Sequence, residues 1–336
     1  MKYASLRGNG LEKNEIFNLK SKSNRDNCFQ PYAKLREKLL EKNIELNTAD
    51  LNKNNLVSFE LHQDFQSTSD SKTKYLMMFE TDFVFPENGV VKNLEGYRKI
   101  FTWRDDLIDG DKFIKINFPN PIEVHPLDGF LGRDLPFCLI AGNKNIKFNS
   151  PVNLYPKRVE VIRWFEKNHP TEFFLYGNGW ALPPKKSGSL GRALNFAWKY
   201  VSKVKKLNFF PSYCGPLADK REVLRRARFS FCYENIKDLP GYITEKIFDC
   251  FFSGCVPIYW GAENIDDYIP SDCFIDRRRF HSMEELYDFA KSISESEYQA
   301  YQNRIARFLK SSAAIQFGSD YFAETIANAV EKDIDL

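Results

Sequence analysis

The stretch from Phe229 to Gly261, FSFCYENIKDLPGYITEKIFDCFFSGCVPIYWG, constrains the fold more than any other part of the chain. It opens with an alternation that puts Phe229, Phe231 and Tyr233 on one face of a strand. Pro240 and Gly241 then forbid a continuing strand. Ile243, Ile247, Phe248, Phe251 and Phe252 recur at helical spacing, with Lys246, Asp249 and Ser253 on the other side. Thr244 suits the N-cap, and Gly254 stops the helix. CVPIYWG follows as a second, buried strand. A strand-loop-helix-strand unit of this kind belongs to a parallel α/β sheet. Such sheets bind ligands beyond the carboxyl ends of their strands, where this pattern delivers Glu234, Asn235 and a helix N-terminus.

The same alternation recurs upstream. Pro31 to Lys42 has helical spacing, and IELNTAD, LVSFEL, YLMMFETDF and KIFTWRDDLI have strand length. A segment with four prolines and two glycines, NFPNPIEVHPLDGFLGRDLP, reads as a linker. Beyond it come FCLIAGN, the helix YPKRVEVIRWFEKN with Val159, Ile162 and Phe165 on one face, and the strand EFFLYGNGW. Residues 181–216 read as basic and irregular, DKREVLRRARF as a helix, and the last 55 residues as two or three helices. The expected architecture is two Rossmann-like α/β domains facing a central cleft, residues 1–134 and 135–310. A C-terminal helix over 311–336 would pack back on the first domain.

Bulk chemistry narrows the function. A net charge of +3 over 336 residues supplies no broad basic face, which argues against a nucleic-acid protein. Two local clusters, Lys199/Lys203/Lys205/Lys206 and Arg277–Arg279, read as solvated faces, with an anionic ligand or membrane surface as the alternative. The seven cysteines include no CxxC pair, there is no Asn-x-Ser/Thr sequon, and the first 30 residues do not resemble a signal peptide. Those features favour reduced, buried thiols and a cytoplasmic location, with peripheral contact at an inner membrane as the alternative. Four scattered histidines (His62, His125, His169, His281) offer no zinc site. DGD at 109–111 reads as a turn rather than a metal clamp. There is no Walker A loop and no GxSxG.

Glu245 in the first turn of the helix suits the positive end of its dipole. Lys246 beside it does not, unless an anion also sits there. Free N–H groups at a helix N-terminus together with a lysine suit a phosphate, and Glu245 could accept from sugar hydroxyls. A surface lysine without a role is the competing explanation.

YENIKDLPGYITEKIFDCFFSGCVPIYWG resembles the signature of the GDP-fucose-dependent α1,3/1,4-fucosyltransferases, glycosyltransferase family 10, in the bacterial form. The Glu-Asn pair, the Tyr-x-Thr-Glu-Lys and the x-Pro-x-x-x-Gly ending all fall at family spacing. DYIPSDCFIDRRRF continues the match. The resemblance extends over Phe137 to Phe280 and, more weakly, over Tyr75 to Ile116. It implies a GT-B fold and inverting transfer of L-fucose from GDP-β-L-fucose to a hydroxyl of GlcNAc or Glc. The acceptor would be an oligosaccharide such as N-acetyllactosamine or a lipopolysaccharide glycan, and no metal or other cofactor is implied. Donor-binding positions carried over are Arg158, Lys220, Asn235, Tyr242, Glu245 and Lys246. The catalytic base would be Glu80, at the end of a strand in MFETDFVFP; Thr81-Asp82 replace the family's Ser-Pro, and strand alternation leaves Asp82 as a rival. Other readings of the same residues are a GT-B transferase for another nucleotide sugar and a catalytically silent sugar-nucleotide or glycan-binding module.

Overall fold

The computed structural model describes residues 1–52, 56–124, 127–204 and 208–334, with the backbone alone for 199 and 202–204. His125, Lys205 and Lys206, and the side chains of Lys199 and Lys203, therefore fall outside the description.

Two compact units divide the chain, 1–122 with 312–336, and 123–311. The expected boundaries lay at 134/135 and 310/311. The linker's second half, from Glu123 onward, belongs to the second unit because Arg133 is buried there. Its guanidinium donates to the carbonyls of Gly129, Leu224, Ala227 and Ser253 and to Asp128.

The first unit runs β1 (Lys2–Arg7), α1 (Gln30–Glu41), β2 (Ile44–Thr48), β3 (Val57–Gln63), β4 (Lys74–Met78), α2 (Val91–Glu95), β5 (Lys99–Thr102) and β6 (Phe113–Lys115). Among the described residues its sheet has the order β2-β1-β3-β4-β5-β6, parallel throughout. β1, which the polar amino-terminal sequence hides, lies inside the sheet because Ala4 and Leu6 are fully buried.

The second unit runs β7 (Leu135–Ile140), α3 (Tyr155–Asn168), β8 (Phe173–Tyr176), α4 (Gly188–Val204), β9 (Tyr213–Gly215), α5 (Lys220–Leu224), β10 (Ala227–Tyr233), α6 (Glu245–Phe252), β11 (Val256–Trp260), β12 (Ile275–Asp276), α7 (Met283–Ser292) and α8 (Glu295–Leu309). α4 occupies residues 188–204 of the region expected to be irregular over 181–216. Its own sequence, GSLGRALNFAWKYVSKV, has helical periodicity, with Pro183 and Pro184 ahead of it and Pro211 beyond it. The chain then returns to the first unit through α9 (Ser312–Ile315) and α10 (Ser319–Ile334). In α10, Phe322, Ala323, Ile326, Ala327 and Val330 join Leu35 and Leu39 of α1 in the first core.

The second sheet, in the order β12-β11-β10-β7-β8-β9, is also parallel. Counted from β7, this is the Rossmann order, with its switch point between the first and fourth strands. The crevice at the switch point therefore opens at the carboxyl ends of β7 and β10. All seven cysteines are free, and five are buried; Cys28 and Cys214 are exposed, contrary to the expectation of uniformly buried thiols.

A buried polar network braces the first sheet. Glu60, fully buried on β3, accepts from Arg7 Nη2 at 2.8 Å, from His62 Nε2 at 2.9 Å and from Ser69 Oγ. Burial pushes the Glu60 carboxyl up, but the bonds from His62, Arg7 and Ser69 outweigh it and bring it from 4.5 down to about 2. Such a carboxylate stabilises the fold above its unfolded value and loses that contribution as pH falls towards 2. The contribution is about 3 kcal/mol. Urea unfolding should show Glu60→Gln less stable than wild type at pH 7, with the gap closing as pH falls from 5 to 2.5. A gap independent of pH would contradict the assignment.

Candidate functional site

β10 ends at Tyr233 and releases Glu234 and Asn235 at the switch point. Glu234 has no exposed surface and is bonded on all sides by the loop that follows. Its N–H donates to the Trp260 carbonyl at 2.8 Å. Its carboxylate accepts from Thr244 N at 2.9 Å, from Thr244 Oγ1 at 2.8 Å and from Lys246 Nζ at 2.8 Å. Gly261 must be glycine here, since a Cβ would stand 2.5 Å from Glu234 Cγ and 2.4 Å from the Tyr259 hydroxyl.

This latch changes the reading of the helix start. Thr244 occupies the N-cap position of α6, but its side chain makes no cap bond; the hydroxyl is turned to Glu234. Thr244 thus gives the first turn of α6 no cap bond, and the positive end of the helix suits an outside anion. Lys246 already has an anionic partner, but that partner is a buried protein carboxylate. The lysine side chain is 22% exposed and lies 3.8 Å from Glu245 Oε1. Burial lowers the Lys246 ammonium, but Glu234 and Glu245 outweigh that and raise it, so it stays charged. Burial pushes the Glu245 carboxyl up; Lys246 and Lys220 outweigh that and hold it at about 2.

The other expected donor residues converge on the same end of the sheet. Arg158, on α3 and 3% exposed, donates through Nη2 to the Tyr233 carbonyl at 2.6 Å and to Asn235 Oδ1 at 3.0 Å, and lies over the Tyr155 ring. Desolvation lowers its guanidinium. Asn235 is the tie between elements: its carbonyl accepts from Leu154 N, and its Nδ2 donates to the Tyr242 hydroxyl at 3.3 Å. Lys220, the first residue of α5, pairs with Asp249 Oδ2 at 2.8 Å and stands 4.0 Å from Glu245 Oε1. The six residues thus share one neighbourhood at the N-terminus of α6, held by Glu234, Asp249 and Tyr259, to none of which the resemblance assigned a donor-binding role. Tyr259 carries the loop through its hydroxyl, which donates to the Tyr242 carbonyl and accepts from Ala262 N. Glu234 was legible as an acid at a strand's carboxyl end, but its pairing with Lys246 depends on the loop folding back.

Glu80 belongs to the first unit. β4 ends at Met78, so Glu80 and Asp82 lie in a loop, and strand alternation does not place them on a common face. Asp64, at the end of β3, accepts from the N–H groups of Phe79 and Glu80 and from Asn88 Nδ2, while Asn88 Nδ2 also bonds the Glu80 carbonyl. Desolvation raises the Asp64 carboxyl against those bonds. The backbone of Glu80 is therefore fixed from both sides. Asp82 packs on Gly89, where a Cβ would meet Asp82 Cβ at 2.7 Å.

Two lesser expectations resolve structurally. Asp109 accepts from the N–H groups of Asp111 and Phe113, so DGD is a turn. In the arginine run, Arg278 grips Asp276 and the Glu263 carbonyl, and Arg277 donates to the Phe280 carbonyl. These side chains are engaged in the fold, not simply solvated.

Residues 212–314 match the model of the glycosyltransferase family 10 (fucosyltransferase) C-terminal domain. Residues 137–211, including Arg158, lie outside that match. An α-(1,4)-fucosyltransferase of Arabidopsis thaliana is 39% identical over 80 residues, which is 22% of this chain and 20% of that protein. The α-(1,3)-fucosyltransferase FucT of Helicobacter pylori is 36% identical over 73 residues, 22% of this chain and 15% of that protein. The matched segments thus span about a fifth or less of these relatives. In three dimensions, an α1,3-fucosyltransferase crystal structure superposes over 92% of this chain and 80% of its own, with 14% identity and a TM-score of 0.50. Anabaena HepE in complex with UDP superposes over 99% of this chain and all of its own, with 11% identity and a TM-score of 0.54. At those identities the likeness is one of fold. The chain therefore has the GT-B architecture of two Rossmann-like α/β domains, and its residues 212–314 are similar to the C-terminal domain of the glycosyltransferase family 10 fucosyltransferases.

Proposed function

We propose that the chain transfers L-fucose from GDP-β-L-fucose, with inversion, to a hydroxyl of a GlcNAc or Glc unit in a glycan, forming an α1,3 linkage. The observation that carries this reading is the Glu234–Thr244–Lys246 latch at the N-terminus of α6, inside the segment that matches the fucosyltransferase model. The latch holds the ammonium beside a helix end that receives no cap bond from Thr244. That arrangement suits the diphosphate, whose negative charge grows as GDP departs. Lys220 and Arg158 add positive charge at the same end of the sheet. Of the two, Arg158 is bonded to neutral oxygens and keeps its charge unneutralised by direct pairing. Glu245, held ionised, accepts from hydroxyls of ribose or fucose, and Tyr242 and Asn235 shape the loop.

Glu80 takes the proton from the acceptor hydroxyl as the oxygen attacks the anomeric carbon of fucose, and GDP leaves from the opposite face. The base and the cations come from separate units of the chain. The test is incubation with GDP-fucose and N-acetyllactosamine, followed by linkage analysis of the product. An α1,3-fucosylated GlcNAc is the expected result. A product bearing fucose elsewhere would overturn the linkage, and GDP-fucose binding without any product on a panel of glycans would favour a silent binding module.

A further inference from the structure

We infer that α4 is a docking surface for an anionic lipid bilayer. Gly191, Asn195 and Trp198 hold one side of the helix to the segments that flank it. A Cβ on Gly191 would stand 2.8 Å from the Lys186 carbonyl, Asn195 bonds the Lys186 backbone in both directions, and Trp198 meets the Phe209 ring edge-on at 5.4 Å. The side turned away is apolar: Leu190 is 75% exposed and Phe196 62%, with Leu194, Tyr200 and Val201 also exposed. A stripe of large apolar side chains left exposed along one helix marks an interaction surface.

Charge identifies the partner. Between Glu172 and Asp219 the sequence has no acidic residue and seven Lys or Arg, in a chain whose net charge is only +3. Arg192 is exposed on the helix, and Lys185 and Lys186 are exposed just before it. Aromatic and aliphatic residues along one face, with cations and no acids beside them, are the pattern of a helix lying in a membrane interface. A second copy of the chain would bring the same cations together across a two-fold contact, which disfavours self-association through this face. The inference does not depend on the transfer reaction, because no residue of α4 belongs to the site at α6.

Cosedimentation with vesicles tests it. The full chain should partition onto phosphatidylcholine vesicles containing phosphatidylglycerol, and should do so less at high salt and not onto phosphatidylcholine alone. Leu190→Glu/Phe196→Glu should lower that partition by about tenfold or more, with fucosyl transfer to a soluble acceptor and the thermal midpoint unchanged. Should that variant fold poorly, Lys185→Gln/Arg192→Gln, which keeps the apolar face, should weaken binding to anionic vesicles severalfold. Failure of wild type to bind anionic vesicles, or equal binding by both variants, would overturn the inference. So would a wild-type dimer in sedimentation velocity that the Leu190→Glu/Phe196→Glu variant dissolves.

Discussion

Replacing Glu80 by glutamine is expected to lower the rate of fucosyl transfer by about 10²- to 10⁴-fold while leaving GDP affinity within about twofold. The exchange removes the carboxylate proposed as the base and keeps the shape of the side chain. The backbone of residue 80 is held by Asp64 and Asn88 through main-chain atoms, which glutamine retains. Asp82→Asn is the matched control and should cost less than about tenfold. If Asp82→Asn abolished turnover and Glu80→Gln did not, the base would be Asp82. Single-turnover measurement with saturating donor and acceptor distinguishes loss of chemistry from loss of binding.

Lys246→Met should weaken GDP binding by about 10- to 100-fold, the size of a lost charge-assisted hydrogen bond. It should also destabilise the protein by about 3–5 kcal/mol, because Glu234 would keep a buried charge without its cation. The two effects are separable. Glu234→Gln/Lys246→Met removes the stranded carboxylate charge while keeping an acceptor for Thr244, and should recover most of the stability but none of the GDP affinity. Calorimetric titration of GDP together with urea unfolding reads both quantities. Recovery of affinity in the double variant would assign Lys246 a purely structural role.

The site was legible in the sequence where local pattern and chemistry agree. Alternation in FSFCYEN, the Pro-Gly break and the stripe from Ile247 to Phe252 locate β10, the loop and α6 without tertiary information. What the local pattern missed depends on contacts distant along the chain or on segments with mixed signals. Thr244 has the identity of a cap, yet its hydroxyl goes to Glu234, ten residues earlier, once the loop closes. β1 is short and set among polar residues, and only its place between β2 and β3 explains it. The loop after β4 ends the strand two residues before Glu80 because Asp64 draws the backbone N–H groups away from the ladder. α4 was obscured by the Pro-Pro-Lys-Lys-Ser-Gly segment ahead of it, although its own apolar positions are regular.

In the proposed mechanism the N-terminus of α6 receives the diphosphate of GDP-fucose. Its most direct test is release of nucleoside diphosphate in the presence of N-acetyllactosamine, compared among GDP-fucose, GDP-mannose and UDP-sugars. Rapid GDP release is expected with GDP-fucose alone among these donors, matched mole for mole by fucosylated product. Turnover with a UDP-sugar and none with GDP-fucose would contradict that mechanism.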